Sequence, residues 1–280
     1  MIIVRIQGGL GNQLFQYSLY ESFREKGIMS KVDISTYIDG RETRTLELNR
    51  LGLKFDVADK RELHSYFADD AVFSDKVFRY LIGKRKYIKE RQYDFNPQIL
   101  QTTDGFLNGY WQSEQYFQSV SSKIREQICF QNTDTEAIRN RETQIAQSNS
   151  VSIHVRMGDY LQQSEIYGNI CTKEYYRKAI QYISERVENP VFYVFSDEPE
   201  KAAEMLADYE FYAITENSGV DSYKDMYLMS CCKHHIIANS TFSWWGAWLG
   251  KKPDKIVVTP SKWNQMCQKN DICCKGWIMI

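Results

Sequence analysis

Apolar residues follow two different periods along this chain, one typical of strands and one typical of helices. A short apolar run at residues 2–7 leads through a glycine turn at 8–11 into residues 12–26, where apolar side chains recur at helical spacing. After residue 150 the alternation is regular. The predicted strands there lie at 151–156, 191–196, 235–238 and 255–259, and the predicted helices lie at 172–187, 198–207, 221–232 and 241–249. This succession predicts an α/β fold with parallel strands.

The first half of the chain is less regular and suggests where the domains divide. Residues 36–111 are rich in charged and aromatic side chains and have mixed periodicity, and helices are predicted at 113–129 and 134–147. A polar run, Gln147-Ser148-Asn149-Ser150, precedes the regular second half. The sequence therefore predicts two domains, 1–149 and 150–280.

Composition and charge narrow the function classes. The 280 residues are 43% hydrophobic and 25% charged, with a net charge of −1, so nothing indicates binding to nucleic acid or to an anionic membrane surface. No apolar run reaches the roughly 18 residues of a membrane span. The run at residues 1–6 predicts a first strand rather than a signal peptide, which favours a cytoplasmic protein. Seven cysteines without Cys-x-x-Cys spacing favour neither a disulfide framework nor a zinc site.

Two segments at predicted strand ends have the chemistry of a ligand site, because ligands of parallel sheets bind at the carboxyl ends of strands. In Gly8-Gly9-Leu10-Gly11-Asn12-Gln13, Gly9 and Gly11 permit close approach of a ligand, and Asn12 and Gln13 stand at the mouth of a helix. In His154-Val155-Arg156-Met157-Gly158-Asp159-Tyr160, His154 and Arg156 share one side of a strand. The Arg156 guanidinium suits a diphosphate, with His154 and Asp159 in support. A tight turn and a plain Arg–Asp ion pair are the structural alternatives.

Two further strand ends carry polar residues. Ser196 and Asp197 could hold sugar hydroxyls or simply cap the next helix. The segment 238–250 opens a predicted helix with Asn239, Ser240, Thr241 and Ser243, which suits an anion, whereas at least two of its three tryptophans are expected to pack on the sheet.

A metal-bridged diphosphate commonly requires an Asp-x-Asp pair, and no two aspartates in this chain are two positions apart. The sequence therefore predicts no metal, with Arg156, hydroxyls and helix N-termini stabilising the diphosphate instead.

Three motifs in order, GGLGNQLFQYS, HVRMGDY and NSTFSWWGAWLG, resemble the bacterial α-1,2-fucosyltransferases of glycosyltransferase family 11. The resemblance runs from Ile3 to Trp277. It implies a GT-B-like fold, with two Rossmann-like domains and an active-site cleft between an N-terminal acceptor-side domain and a C-terminal GDP-sugar domain. It also implies inverting transfer of L-fucose from GDP-β-L-fucose to the 2-hydroxyl of a terminal β-galactoside, without metal or cofactor. Met157 replaces a second arginine that is frequent in the family motif.

The resemblance also assigns residues. Arg156 is expected on the β-phosphate, Asn12 near the phosphate or the reacting sugar, and Asp225 on the guanine. Asp159 and Glu165 are the alternatives for a general base, and a dissociative reaction would need neither. The expected partners are GDP-fucose and a galactose-terminated glycan, and a lipid-linked acceptor would place the enzyme at the inner face of the cytoplasmic membrane. A non-catalytic GDP-sugar or glycan-binding module is the alternative function. An epimerase is disfavoured, because the complete dinucleotide glycine fingerprint is missing.

Overall fold

A computed structural model describes residues 1–66, 87–91, 93–158, 165, 168–265 and 270–280. The chain divides into two compact units, Met1–Cys129 and Phe130–Ile280. The predicted boundary at 149/150 is therefore corrected to 129/130. The helix at Glu136–Gln147 belongs to unit 2, because its Ile138 and Ile145 pack in one apolar cluster with strand residues of that unit.

Unit 1 is built on a parallel four-stranded sheet in the order β2-β1-β4-β3. Its strands are β1 Ile2–Arg5, β2 Ser30–Asp33, β3 Tyr87–Lys89 and β4 Gly105–Asn108. The side chains of Ile2, Ile3 and Val4 have no exposed surface, which places β1 in the core. At its end, Arg5 Nε donates to Asp33 Oδ2 at 3.0 Å, so a buried ion pair joins the ends of β1 and β2.

Helix α1, Leu10–Glu25, begins within the glycine turn that follows β1 and is buried on nearly every side. Polar side chains inside this helix are paired. Glu21 is fully buried, and it accepts from Arg24 at 3.0 Å and from Gln127 at 3.2 Å, with Lys123 also at 3.2 Å. Such pairing is what allows a carboxylate to remain in a protein interior.

The remaining elements of unit 1 are short. The helices are α2 Ser35–Ile38, α3 Lys60–Tyr66 and α4 Ser121–Gln127, with 3₁₀ turns at Leu48–Leu51, Pro97–Gln101, Glu114–Tyr116 and Gln118–Val120. The single helix predicted at 113–129 is thus two 3₁₀ turns followed by one short α-helix. Ser113 caps the first turn by accepting from the Gln115 amide.

Unit 2 contains a parallel six-stranded sheet in the order β10-β9-β8-β5-β6-β7. Its strands are β5 Asn149–Val155, β6 Pro190–Ser196, β7 Tyr212–Ile214, β8 His234–Ile236, β9 Val257–Thr259 and β10 Ile278–Met279. Numbered within the unit, this order is 3-2-1-4-5-6, the arrangement of Rossmann folds. The predicted α/β class and the Rossmann-like second domain are confirmed.

Helices precede or connect these strands. They are α5 Glu136–Gln147, α6 Lys173–Ser184, α7 Pro199–Met205, α8 Tyr223–Cys231 and α9 Thr241–Leu249. As predicted, Thr172 caps α6 by accepting from the Tyr175 amide at 3.2 Å. In the described residues, no helix has the length and apolar character needed to cross a membrane.

Candidate active site

The strand order of unit 2 singles out one point on its edge. β5 lies between β6 and β8, so the connections from β5 and from β8 leave the sheet in opposite directions. Ligands of open α/β sheets bind at such a switch point, outside the carboxyl ends of the strands. The register pairs Ile153 with Ile236 and Val155 with Ser196. At or just after these residues lie His154–Gly158 of the second motif, Ser196-Asp197 and Asn239-Ser240, which belong to three of the four segments predicted from sequence.

Arg156 and Asp197 form the charged centre of this edge. Arg156 Nη1 lies 3.2 Å from Asp197 Oδ2, and both side chains are partly exposed. The same carboxylate accepts from the Met157 amide at 3.0 Å and from the Gly158 amide at 2.9 Å. Asp197 therefore holds the arginine and the backbone that follows it. It was predicted to bind the donor directly, and its observed bonds give it an orienting role.

Gly158 is required by this arrangement. A Cβ atom at residue 158 would lie 2.5 Å from Asp197 Oδ2, well inside contact distance. The glycine in the motif is thus explained by the close approach of the carboxylate to the backbone. Asp159 and Tyr160, the next two residues, lie outside the described residues, so the supporting role predicted for Asp159 stays a prediction.

His154 is buried beside the arginine and is uncharged. Burial, and next the charge of Arg156, lower its pKa to about 3. Its ring lies 5.9 Å from the Phe242 ring, and its carbonyl accepts from the Tyr176 hydroxyl at 2.9 Å. The described residues supply no partner for its buried Nδ1. A neutral imidazole can donate one hydrogen bond, and at this pKa it is a poor proton acceptor at neutral pH.

The N-terminus of α9 provides the second half of the edge. Ser240 precedes the helix, and its side chain does not cap the first turn. The first-turn amides and the partly exposed Thr241 can therefore face an anion. Trp244, Trp245 and Trp248 are all buried, which confirms that this helix uses its tryptophans for packing.

Two residues predicted to bind the donor here have structural roles instead. The Asn239 side chain is buried, donates to the Trp263 carbonyl at 3.1 Å and accepts from Cys171 Sγ at 3.4 Å. The Ser243 hydroxyl is buried and donates to the Ser240 carbonyl at 3.1 Å, one helical turn back. We therefore correct both assignments, since neither side chain is available to a ligand.

Ser196 lies at the end of β6, and Asp225 lies in a helix that follows β7. Ser196 Oγ accepts from the Glu198 amide at 3.0 Å, which leaves its hydroxyl hydrogen to donate. The residue that precedes α7 is Glu198 and no side chain caps this helix, so the predicted capping by Ser196 or Asp197 is wrong. Asp225 lies in the first turn of α8, where Asn217 Nδ2 donates to its Oδ1 at 2.7 Å. Burial, with a contribution from Glu216, raises the pKa of Asp225 to about 7.

In unit 1 the glycine turn after β1 is tied to its own surroundings. Gly8 has φ of +76°; its amide donates to Glu42 at 2.7 Å, and its carbonyl accepts from Tyr37 at 2.6 Å. Gly9 lies at the start of α1 and Gly11 is buried inside it. Among the described residues, no atom lies within 4 Å of a Cβ atom at Gly9, so none of them explains that glycine.

Gln13, predicted to bind the donor, is an internal brace. Its side chain has no exposed surface. Its Nε2 donates to the carbonyls of Gly8 at 2.9 Å and Thr45 at 2.8 Å, and its Oε1 accepts from the Glu47 amide at 2.8 Å. Because the amide is fully engaged, the predicted contact between Gln13 and a ligand is corrected.

Among the described residues there is no cluster of three or more histidine, cysteine, aspartate or glutamate side chains that could hold a metal ion. The positive charge identified at the switch point is that of Arg156.

The model of glycosyl transferase family 11 matches residues 1–280. The chain belongs to glycosyltransferase family 11. The resemblance predicted from three sequence motifs is confirmed.

Three relatives of the chain are named as glycosyltransferases. The chain is 33% identical over 292 residues to an alpha-1,2-colitosyltransferase of Escherichia coli, and the match covers 100% of this chain and 99% of that protein. It is also 33% identical to the O-antigen biosynthesis glycosyltransferase WbnK of Escherichia coli, over 98% of this chain and 99% of that protein. A galactoside alpha-(1,2)-fucosyltransferase 1 of Saimiri sciureus is 28% identical over 154 residues, which cover 51% of this chain and 42% of that protein.

Two residues of this family 11 chain that sequence reasoning missed lie after β3 and β4. Gln112 Nε2 donates to Asn12 Oδ1 at 2.8 Å. Glu90 accepts from the amides of Tyr110 at 2.6 Å and Trp111 at 3.1 Å, and burial raises its pKa to about 7. Both residues follow strands of only three or four residues in the segment with mixed periodicity. Such short strands show no period, so the sequence does not indicate that these residues lie at a sheet edge.

Proposed function

We propose that this family 11 enzyme transfers L-fucose from GDP-β-L-fucose to the 2-hydroxyl of a terminal β-galactoside, with inversion, forming an α-1,2 linkage. Three relatives named as alpha-1,2-transferases or as an O-antigen glycosyltransferase support the linkage and the glycan acceptor. The observation that carries the proposal is Arg156 held by Asp197 at the switch point of unit 2. A fixed guanidinium at that position suits the diphosphate of a nucleotide-sugar.

In the proposed reaction the acceptor hydroxyl forms a bond to the anomeric carbon of fucose as the bond to GDP breaks. The electron pair of the broken bond goes to the β-phosphate, where Arg156 and the α9 amides offset the growing negative charge. The positive charge of Arg156 is in place before the reaction, because Asp197 orients it through bonds to its guanidinium and to the next two amides. Neutral His154 would donate a hydrogen bond in support of Arg156 without adding a charge of its own.

The acceptor proton needs a destination. Asp159 and Glu165 are the proposed alternatives for a general base, and transfer to the departing phosphate is the third route. Conversion of Asp159 to asparagine tests the first of these routes, since only a base at that position requires a carboxylate there.

Asp225 is proposed to hold the guanine. A carboxylate accepts hydrogen bonds only, and guanine offers N1–H and an exocyclic amine on one edge. The bond from Asn217 to Oδ1 fixes the carboxyl group of Asp225.

A second donor is favoured by one observation, the full-length match to an alpha-1,2-colitosyltransferase. Colitose is L-fucose without its 3-hydroxyl. GDP-colitose therefore shares the diphosphate, the guanine and most of the sugar, and the switch-point geometry suits both donors equally.

The test is GDP release from GDP-fucose and from GDP-colitose, each with and without a lactose or N-acetyllactosamine acceptor, with the product linkage read by NMR. We expect acceptor-stimulated release and an α-1,2 product with one donor strongly preferred. Binding of GDP-fucose without turnover on any acceptor would instead support a non-catalytic module. Conversion of the donor sugar without transfer would indicate an epimerase.

We also propose that no metal or cofactor takes part and that the enzyme works in the cytoplasm, at the membrane face where a lipid-linked acceptor is presented. Activity should persist in excess EDTA. Complete loss restored by manganese would contradict the proposed role of Arg156 as the main charge opposite the diphosphate.

A further inference from the structure

Two side-chain amides meet at the edge of the unit 1 sheet. Gln112 Nε2 donates to Asn12 Oδ1 at 2.8 Å, across a hundred residues of sequence. Asn12 lies in the first turn of α1, and Gln112 follows β4, the strand next to β1. A primary amide has one accepting end and one donating end. Because Gln112 binds the accepting Oδ1 of Asn12, the donating Nδ2 of Asn12 is turned away from Gln112.

The donating end of Asn12 is held close to the glycine turn. A Cβ atom at Gly8 would lie 2.8 Å from Asn12 Nδ2, so the amide packs over this glycine. Asn12 is partly exposed, and no described residue accepts a hydrogen bond from its Nδ2. Asn12 thus has a fixed orientation and a donor group with no internal partner in the described part of the chain.

The backbone that carries Gln112 is itself held in an unusual conformation. Trp111 has φ of 55°, in the left-handed region that bulky residues rarely adopt, and it is buried. Glu90 receives the amides of Tyr110 and Trp111 on its two carboxylate oxygens. Gln16 Nε2 donates to the Gly109 carbonyl at 3.0 Å. An uncommon backbone conformation fixed from several sides points to a position that the fold must hold accurately.

Glycine at residue 109 is part of the same arrangement. A Cβ atom there would lie 2.4 Å from Glu90 Cβ and 2.9 Å from the Trp111 ring. The carboxylate, the left-handed tryptophan and the glycine together fix the chain at residues 109–111, and the next side chain is the one that reaches Asn12.

We propose that Gln112 is a positioning residue for Asn12, which it orients so that Nδ2 donates to an oxygen of the bound substrates that becomes more negative during transfer. The inference rests on the proposed function, in which Asn12 contacts the donor phosphate or the reacting sugar. A donor placed before the reaction stabilises developing charge without reorganisation. Gln112 acts through Asn12 and touches no substrate itself.

The test is the pair Gln112→Glu and Gln112→Met, each made in the natural chain and in Asn12→Ala. A carboxylate only accepts, so Gln112→Glu attracts Nδ2 and turns Oδ1 of Asn12 toward the substrates. We expect kcat to fall by about 100-fold, as for loss of one donor to a developing oxyanion, and KM for the acceptor to change little. Gln112→Met keeps the length of the side chain but no longer fixes the orientation of the Asn12 amide. We therefore expect a smaller fall in kcat, of about tenfold.

The deciding measurement is whether the effects on kcat of the changes at Gln112 and at Asn12 depend on each other. In the Asn12→Ala background neither change at Gln112 should lower kcat further, because the group it orients is gone. Losses that multiply would overturn the inference, as would natural kcat in Gln112→Glu. A merely structural Gln112 would lower the melting temperature in both backgrounds, whereas the inference expects little change with Gln112→Met. If the natural enzyme transfers no sugar from either GDP donor, the proposed function itself is wrong. If it does transfer, the outcomes at Gln112 judge the inference alone.

Discussion

The two parallel sheets carry similar polar segments at their carboxyl edges and use them differently. In unit 2, the strand ends bring together a guanidinium, a carboxylate and the N-terminus of α9, and Arg156 stays partly exposed. In unit 1, the glycine turn is bonded to its own unit, with Gly8 engaged by Glu42, Tyr37 and Gln13. The unit 2 edge thus exposes a charged group, whereas the unit 1 edge exposes the oriented side-chain amide of Asn12.

This difference teaches how a polar residue at a strand end should be interpreted. Arg156 is paired with Asp197 and still presents a partly exposed charged group, because a guanidinium has five donors and can serve several partners. Gln13 is fully buried, and internal partners take both of its donor hydrogens and one bond at its oxygen. The number of hydrogen bonds that a side chain can make therefore decides whether it serves both the fold and a ligand.

The largest effect should come from removing the charge of unit 2. Arg156→Ala is expected to lower kcat by at least about 1,000-fold, because the leaving diphosphate loses its main stabilising group. Arg156→Lys keeps one charge without the fork of donors and should recover only part of the activity. Initial rates of GDP release measure both variants, with circular dichroism to confirm folding. Natural kcat in a folded Arg156→Ala enzyme would refute the role given to this edge.

The next largest fall in kcat should come from adding a methyl group at Gly158, on the same edge of unit 2. Gly158→Ala places Cβ 2.5 Å from Asp197 Oδ2 and must displace the carboxylate from Arg156 and from two amides. We expect kcat to fall by about 100-fold, since Arg156 loses the group that orients it. Activity close to that of the natural enzyme would show that Asp197 has no part in orienting the arginine.

Asp225 should give a smaller effect that depends on pH. Its pKa is raised to about 7 by burial, so the carboxyl group is increasingly protonated as pH falls below that value. A protonated group loses an acceptor for guanine, and the affinity for GDP should therefore fall by about tenfold per pH unit below pH 7. Asp225→Asn should bind GDP weakly at every pH and show no such slope. It should prefer xanthosine diphosphate, whose base has a carbonyl in place of the exocyclic amine.

Titration calorimetry of GDP between pH 5.5 and 8 measures this slope. A slope that survives in Asp225→Asn would assign the titration to another group, and equal preference for the two nucleotides would remove Asp225 from base recognition.

The smallest effect tests the unit 1 edge. Gly9→Ala adds a methyl group that meets no atom of the described residues within 4 Å, so the melting temperature should stay within about 1 °C of the natural value. If a substrate approaches this turn closely, as the glycines predict, kcat/KM should still fall by about five- to tenfold. Unchanged kinetics would mean that no ligand comes near Gly9 and would leave Asn12 as the contact at this edge.

Much of the unit 2 edge could be predicted from the sequence, because its central strand is seven residues long and its period is clear. The regular alternation of strands and helices predicts a parallel sheet, whereas the strand order and the switch point are seen only in the structure. The wrong predictions concern the direction in which a polar side chain points. Gln13, Asn239 and Ser243 have polar side chains, and polarity does not reveal whether a side chain faces a ligand or an internal carbonyl.

Two larger features were hidden for other reasons. The strands at Tyr87–Lys89 and Gly105–Asn108 are too short to show a period, so Glu90 and Gln112 could not be placed at an edge. The domain boundary was placed twenty residues late because an amphipathic helix does not reveal which sheet its apolar face covers. Ile138 and Ile145 of α5 pack against unit 2.

The most direct measurement compares GDP with guanosine on the natural enzyme and on Arg156→Ala by titration calorimetry. If Arg156 holds the diphosphate, the variant should bind GDP about 100-fold more weakly, since bonds to a charged group contribute about 1.5–3 kcal/mol each. Its affinity for guanosine, which has no phosphate, should be unchanged. Equal weakening of both ligands, or unchanged affinity for GDP, would contradict the assignment of Arg156 to the diphosphate.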